Sequence, residues 1–76
     1  MIYIIVKEGD AVVPLGSGTR LIQRGERIYI EEVCDSDESW TLAGLYKGND
    51  AATKAFVHVL GQIEMGKTVI YMPQEV

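Results

Sequence analysis

One stretch of this chain carries a helical rhythm, and the runs around it read as strands. Ala52, Ala55, Phe56, Val59, Leu60 and Ile63 recur at i, i+3, i+4 and i+7, the spacing that gathers apolar side chains on one stripe of an α-helix. The pattern predicts a helix over Asp50–Met65. Asn49 or Asp50 is placed to cap its start by accepting a bond from a free backbone N–H. Gly66 stands where a left-handed C-terminal cap is wanted. Thr53, Lys54, His58, Gln62 and Glu64 fall mainly outside the stripe. A lone amphipathic helix must bury that stripe, and the rest of the chain offers strands to bury it against.

Ile2 to Val6 is a continuous β-branched and aromatic run, as expected of a strand covered on both faces. Lys7-Glu-Gly-Asp10 is a turn. Ala11 to Val13 can return beside the first strand, with Pro14 ending it because proline donates nothing to a ladder. Leu15 to Thr19 reads as a glycine-serine loop, Arg20 to Gln23 as a short strand, and Arg27 to Val33 as a clearer one. Asp35-Ser-Asp-Glu-Ser39 is a polar connection into Trp40 to Tyr46. There the alternation puts Trp40, Leu42 and Tyr46 on one face. Val69 to Met72 is a final strand, stopped by Pro73. The expected fold is α+β: a small, mostly antiparallel sheet with one amphipathic helix packed on one face, residues 1–76 forming a single domain.

Size is the main energetic constraint. At 76 residues such a domain buries about 60% of its unfolded surface and gains only a slim net stability. Disulfides and metal are the usual supports, and the composition offers neither. One cysteine, Cys34, cannot close an internal bridge, and one histidine, His58, gives no zinc pattern. Self-association is the remaining support, so a homo-oligomer is expected. The net charge of −4 argues against general nucleic-acid binding, which needs a basic surface. No stretch approaches the apolar length of a membrane span, and the first residues do not read as a signal peptide. A lone thiol fits a reducing cytoplasm.

Few residues invite chemistry. Gly16-Ser-Gly-Thr-Arg20 can be read as a phosphate-binding loop, or as a flexible turn, since it lacks the Gly-Lys-Ser/Thr ending of a P-loop. Arg20, Arg24 and Arg27 are the only arginines, and they lie close together. They make either a cradle for a small anion or one half of salt bridges to the acidic run Glu31, Glu32, Asp35, Asp37 and Glu38. That run is in turn a solvated hairpin face or a lure for a basic protein surface. Trp40 and Tyr46 either stack a base or close a small core. His58 lacks a catalytic partner, and carboxylates near Cys34 would raise the pKa of its thiol rather than activate it. No acid–base pair stands out, so the chain does not read as an enzyme, and no cofactor is expected.

The C-terminal half, Trp40 to Val76, shows a strand with a Leu-Gly-x-Tyr-like ending, here Leu42-Ala-Gly-Leu-Tyr46. A polar cap follows at Asn49-Asp50, then the helix segment Ala55-Phe-Val-His-Val-Leu60 with Ile63, then Gly66 and the closing strand Val69-Ile-Tyr-Met-Pro73. This pattern resembles small uncharacterised proteins of phages and mobile elements of Gram-positive bacteria. The chain departs from it by an extra residue in Leu42–Tyr46 and by the glycine-serine loop upstream. The shared residues are structural, so no binding residue carries over.

The resemblance implies a non-enzymatic accessory protein in a bacterial host cytoplasm. One such role is an oligomeric sponge for a nucleotide immune signal. The glycine loop, the arginines and the aromatics, not the resemblance, supply its candidate ligand-binding set: Gly16, Ser17, Gly18, Arg20, Arg24, Arg27, Trp40 and Tyr46. The alternatives are an acidic inhibitor of a host defence protein, acting through Glu31 to Glu38 or a strand edge, and a small structural assembly subunit.

Overall fold

The computed structural model describes residues 1–34 and 37–74. The expectation for Asp35 therefore lies outside the described residues, as do those for the side chains of Val33, Cys34, Asp37 and Glu38. The elements are β1 (Ile2–Ile5), β2 (Val12–Leu15), β3 (Thr19–Arg24), β4 (Arg27–Cys34), β5 (Asp37–Leu45), α1 (Asn49–Glu64) and β6 (Val69–Tyr71). The fold is α+β, with mostly antiparallel strands and one helix. The strands divide into two three-stranded sheets, ordered β2-β1-β6 and β3-β4-β5. β1 and β6 run parallel, and the other pairings are antiparallel.

The two sheets meet at an irregularity in β5. Along the β4–β5 ladder Ile28 faces Gly44 while Tyr29 faces Leu42, so Ala43 is an extra residue without a partner on β4. This is a β-bulge. The carbonyl oxygen freed at Ala43 accepts a 2.8 Å bond from the backbone N–H of Lys7, just past the end of β1. Gly44 beside it is needed for room: a Cβ there would stand 2.8 Å from Cε2 of the Tyr46 ring.

The inner faces of both sheets and the helix enclose one core of Ile4, Ile28, Ile30, Ala43, Tyr46, Ala52, Ala55, Val59, Ile70 and Met72. In α1 the buried stripe is Ala52, Ala55 and Val59. Phe56 and Ile63 pack against its flank half-buried, whereas the sequence pattern puts them inside. Leu60, also expected inside, is 41% exposed. The helix centres the small residues Ala52 and Ala55 with Val59 on the core, and Leu60 lies past the edge of that stripe.

The helix ends differ in how well the sequence announces them. At the C-terminus Gly66 takes φ +81°; its N–H bonds the Ile63 carbonyl, and the Lys67 N–H bonds the Gln62 carbonyl. These two bonds form a Schellman motif, as expected of Gly66. At the N-terminus the capping position is Gly48, with no side-chain cap. Asn49 and Asp50 lie one step further on, inside the first turn, where the Asp50 carboxylate favours the positive end of the helix dipole.

Other boundaries also shift. Pro14 sits within β2, opposite Tyr3, instead of ending it. β2 is an edge strand, where a missing N–H costs no ladder bond on its open side. Asp37 to Ser39 belong to β5, because the hairpin register continues through Val33–Glu38 to Cys34–Asp37. β1 is covered on one face only: Ile4 is fully buried while Tyr3 is 41% exposed.

Candidate functional site

The β3–β4–β5 sheet turns Leu21, Ile28, Ile30 and Ala43 toward the core, so the alternate residues form its outer face. The strand registers arrange that face in rows. Arg20, Glu31 and Trp40 make the first row, Ile22, Tyr29 and Leu42 the second, and Arg24, Arg27 and Leu45 the third. Every arginine of the chain is therefore on this one face.

The arginines are not equivalent. Arg20 is committed: its Nε donates to Glu31 Oε1 at 2.6 Å, and its Nη2 lies 2.6 Å from the same oxygen. Glu31 is only 3% exposed while the Arg20 side chain is 69% exposed. The guanidinium thus closes over a buried carboxylate, and Glu31 is not presented to a basic partner. The cross-sheet salt bridge weighed from the sequence is formed at this position.

Arg24 and Arg27 stand directly opposite each other across the β3–β4 turn. Like charges in directly opposed positions are destabilising. Arg24 lies over the Trp40 ring, its Cζ 4.7 Å from the centroid. That ring meets Tyr29 at 5.3 Å between centroids, tilted by 58°. Trp40 remains 38% exposed, and Leu42 and Leu45 beside it are 45% and 47% exposed. Two aromatic rings, the Arg24 guanidinium over one of them, Arg27 at the opposed strand position and an aliphatic border thus share one open surface.

Not all the residues singled out from the sequence reach this surface. Gly16, Ser17 and Gly18 lead into β3 at the Arg20 end, away from Arg24 and Arg27. Their turn is closed on itself: the Gly16 N–H donates to Thr19 Oγ1 at 2.7 Å, and the Gly16 carbonyl accepts from the Thr19 hydroxyl at 2.6 Å. Tyr46 lies on the opposite side of the sheet from Trp40. The bulge at Ala43 adds one residue between them and reverses the simple alternation that puts both on one face. The Tyr46 hydroxyl donates to the Pro73 carbonyl at 2.8 Å, and Lys7 Nζ lies 4.4 Å from its ring centroid.

Tyr46 lines a second feature, a groove of about 510 Å³ between the helix and the C-terminal segment. Asp50, Lys54 and His58 form one wall at four-residue spacing, with Ala51 and Ala55 between them; Pro73 and Gln74 form the other. The exposed His58 sits beside Lys54 on the wet flank of the helix, as its spacing suggests. This wall carries both an acid and a base, so it favours neither ligand sign. Among the described residues no group of His, Cys, Asp and Glu is placed to hold a metal ion, and no helix is long and apolar enough to cross a membrane.

The alternation already puts Leu42 on the face of Trp40, while sequence reasoning misses Tyr29 and Ile22 as their neighbours there. Period-two alternation marks which side of a strand they occupy, but their meeting with Trp40 depends on strand register. Compared with models of known protein families, with curated proteins and with solved structures, the chain matches none.

Proposed function

We propose that this chain is a non-enzymatic binding module, and that the outer face of β3-β4-β5 takes a small, flat, phosphate-bearing molecule such as a nucleotide. The observation that carries the reading is the direct opposition of Arg24 and Arg27 beside Trp40. An anion bound between these two opposed strand positions relieves the like-charge repulsion of Arg24 and Arg27 and draws charge-assisted bonds from their side chains. A base laid on Trp40 takes the place that Arg24 holds over the ring, which frees the guanidinium for the phosphate, and gains stacking energy without any demand for sequence readout. Local positive potential of this kind persists under a negative total and favours a compact anion over a long polyanion. The resemblance to phage proteins makes nucleotide immune signals the first ligands to try.

Trp40 is the only tryptophan, so intrinsic fluorescence reads the site directly. Titration with a panel of cyclic and linear nucleotides is expected to quench it, with matching heat by calorimetry. Arg24→Ala or Arg27→Ala is expected to weaken the binding by about 10–150-fold, the range for removing one charge-assisted hydrogen bond from a binding site. No quenching and no heat with any nucleotide, or binding that both substitutions leave untouched, would overturn the proposal and turn attention to a protein partner.

A further inference from the structure

The other sheet has an outer face of a different kind. Ile4 and Ile70 point inward and are almost fully buried. The alternate positions therefore face outward: Pro14, Tyr3 and Val69 in one row, and Val12, Ile5 and Tyr71 in the next. None of the six is charged. Tyr71 is 67% exposed, Val12 58%, Val69 51% and Tyr3 41%. A contiguous apolar patch of this sort on a soluble chain marks an association surface.

The charges at the ends of the face indicate what covers it. The turn with exposed Glu8 and Asp10 joins β1 to β2 at the Ile5 end. Exposed Lys67 lies at the other end, one residue before Thr68, whose carbonyl accepts from the Tyr3 N–H. Lys7, in the turn with Glu8 and Asp10, reaches away toward the other sheet, where its Nζ donates to the Leu45 carbonyl and lies over the Tyr46 ring, so the face is acidic at one end, neutral in the middle and basic at the other. We infer that a second copy of this chain packs on it face to face, with the β1 strands antiparallel about a two-fold axis. That arrangement stacks the neutral rows on each other at the usual sheet spacing of about 10 Å. It brings Lys67 of each copy to the Glu8–Asp10 turn of its partner, so one contact is satisfied twice. The neutral centre matters in a chain of net charge −4, because two copies meet there without opposing charges to bury. The inference rests on a face separate from the Arg24–Trp40 surface and stands or falls independently of the proposed ligand.

Sedimentation equilibrium from micromolar to submillimolar concentration tests it. A monomer–dimer equilibrium is expected, and Tyr71→Lys or Val12→Lys is expected to leave a monomer with an unchanged circular dichroism spectrum. Using both positions guards against one variant failing to fold. Lys67→Glu at low salt is expected to weaken the dimer by about tenfold, as two reversed exposed contacts would. The double variant Lys67→Glu, Asp10→Lys is expected to restore it. A monomeric parent chain overturns the inference, and one that instead binds phosphatidylcholine vesicles identifies a lipid surface as the occupant. A dimer that survives both lysine substitutions overturns the choice of face, and failure of the double variant to recover overturns the antiparallel arrangement.

Discussion

The two sheets share a core yet differ on their outer faces. β3-β4-β5 shows arginines, a buried carboxylate under one of them and a pair of touching aromatic rings. β2-β1-β6 shows only neutral side chains, with charge confined to its ends. Their inner faces are alike, built from isoleucines that are almost fully buried: Ile28 and Ile30 in one, Ile4 and Ile70 in the other. Burial therefore sets the inner residues, while the outer ones are free to differ. The proposed small anion and the proposed second copy each follow from that difference.

If the inner faces are equivalent, truncating either should be equally costly. Ile30→Ala and Ile4→Ala are each expected to destabilise by about 2–5 kcal/mol in urea unfolding, through lost transfer energy and the cavity left behind. A clear inequality would show that one sheet is peripheral to the core. At the junction, Gly44→Ala is expected to cost about 1–3 kcal/mol, because the added Cβ meets the Tyr46 ring in a space with little slack. On the charged face, Arg20→Ala is expected to cost about 1–3 kcal/mol by stripping a buried carboxylate of its partner. Nucleotide binding should persist in that variant if Arg24 and Arg27 carry it. Loss of binding alone, with stability intact, would make Arg20 a ligand contact. On the neutral face, Val69→Thr is expected to change the stability of the dilute monomer by less than about 0.5 kcal/mol. A larger loss would mean that the outer row supports the fold itself.

Much of this architecture is legible in the residues. The period of Ala52, Ala55 and Val59, the turn at Gly66 and the strand run that begins at Arg27 are local signals, and local structure follows them. The division into two sheets is not local. It depends on β6 returning beside β1 from the far end of the chain, and on the Lys7 N–H finding the Ala43 carbonyl. The extra residue in Leu42–Tyr46 is visible against the resembled pattern, but period-two alternation does not show that it makes a bulge at Ala43, so Trp40 and Tyr46 read as neighbours on one face when they are not. The arginines are visible as a cluster from their spacing. Their split into a committed Arg20 and an opposed Arg24–Arg27 pair follows from register, which residues far apart in the chain decide together. The groove is half visible: Asp50, Lys54 and His58 share a helix flank by spacing, but Pro73 and Gln74 reach it only through the fold.

The bond from the Lys7 N–H to the Ala43 carbonyl also bears on motion. It is a backbone bond between the two sheets, at a position where the β4–β5 ladder is interrupted. Each sheet otherwise holds its own ladder, so each is a natural unit of local opening. The exchange rate of the Lys7 amide with heavy water then reports how the sheets are coupled. Protection equal to that of the Ile4 and Ile30 amides means that the molecule opens as a whole. Faster exchange at Lys7 means that the sheets part before either one melts, with the bulge as the hinge between two separately cooperative halves.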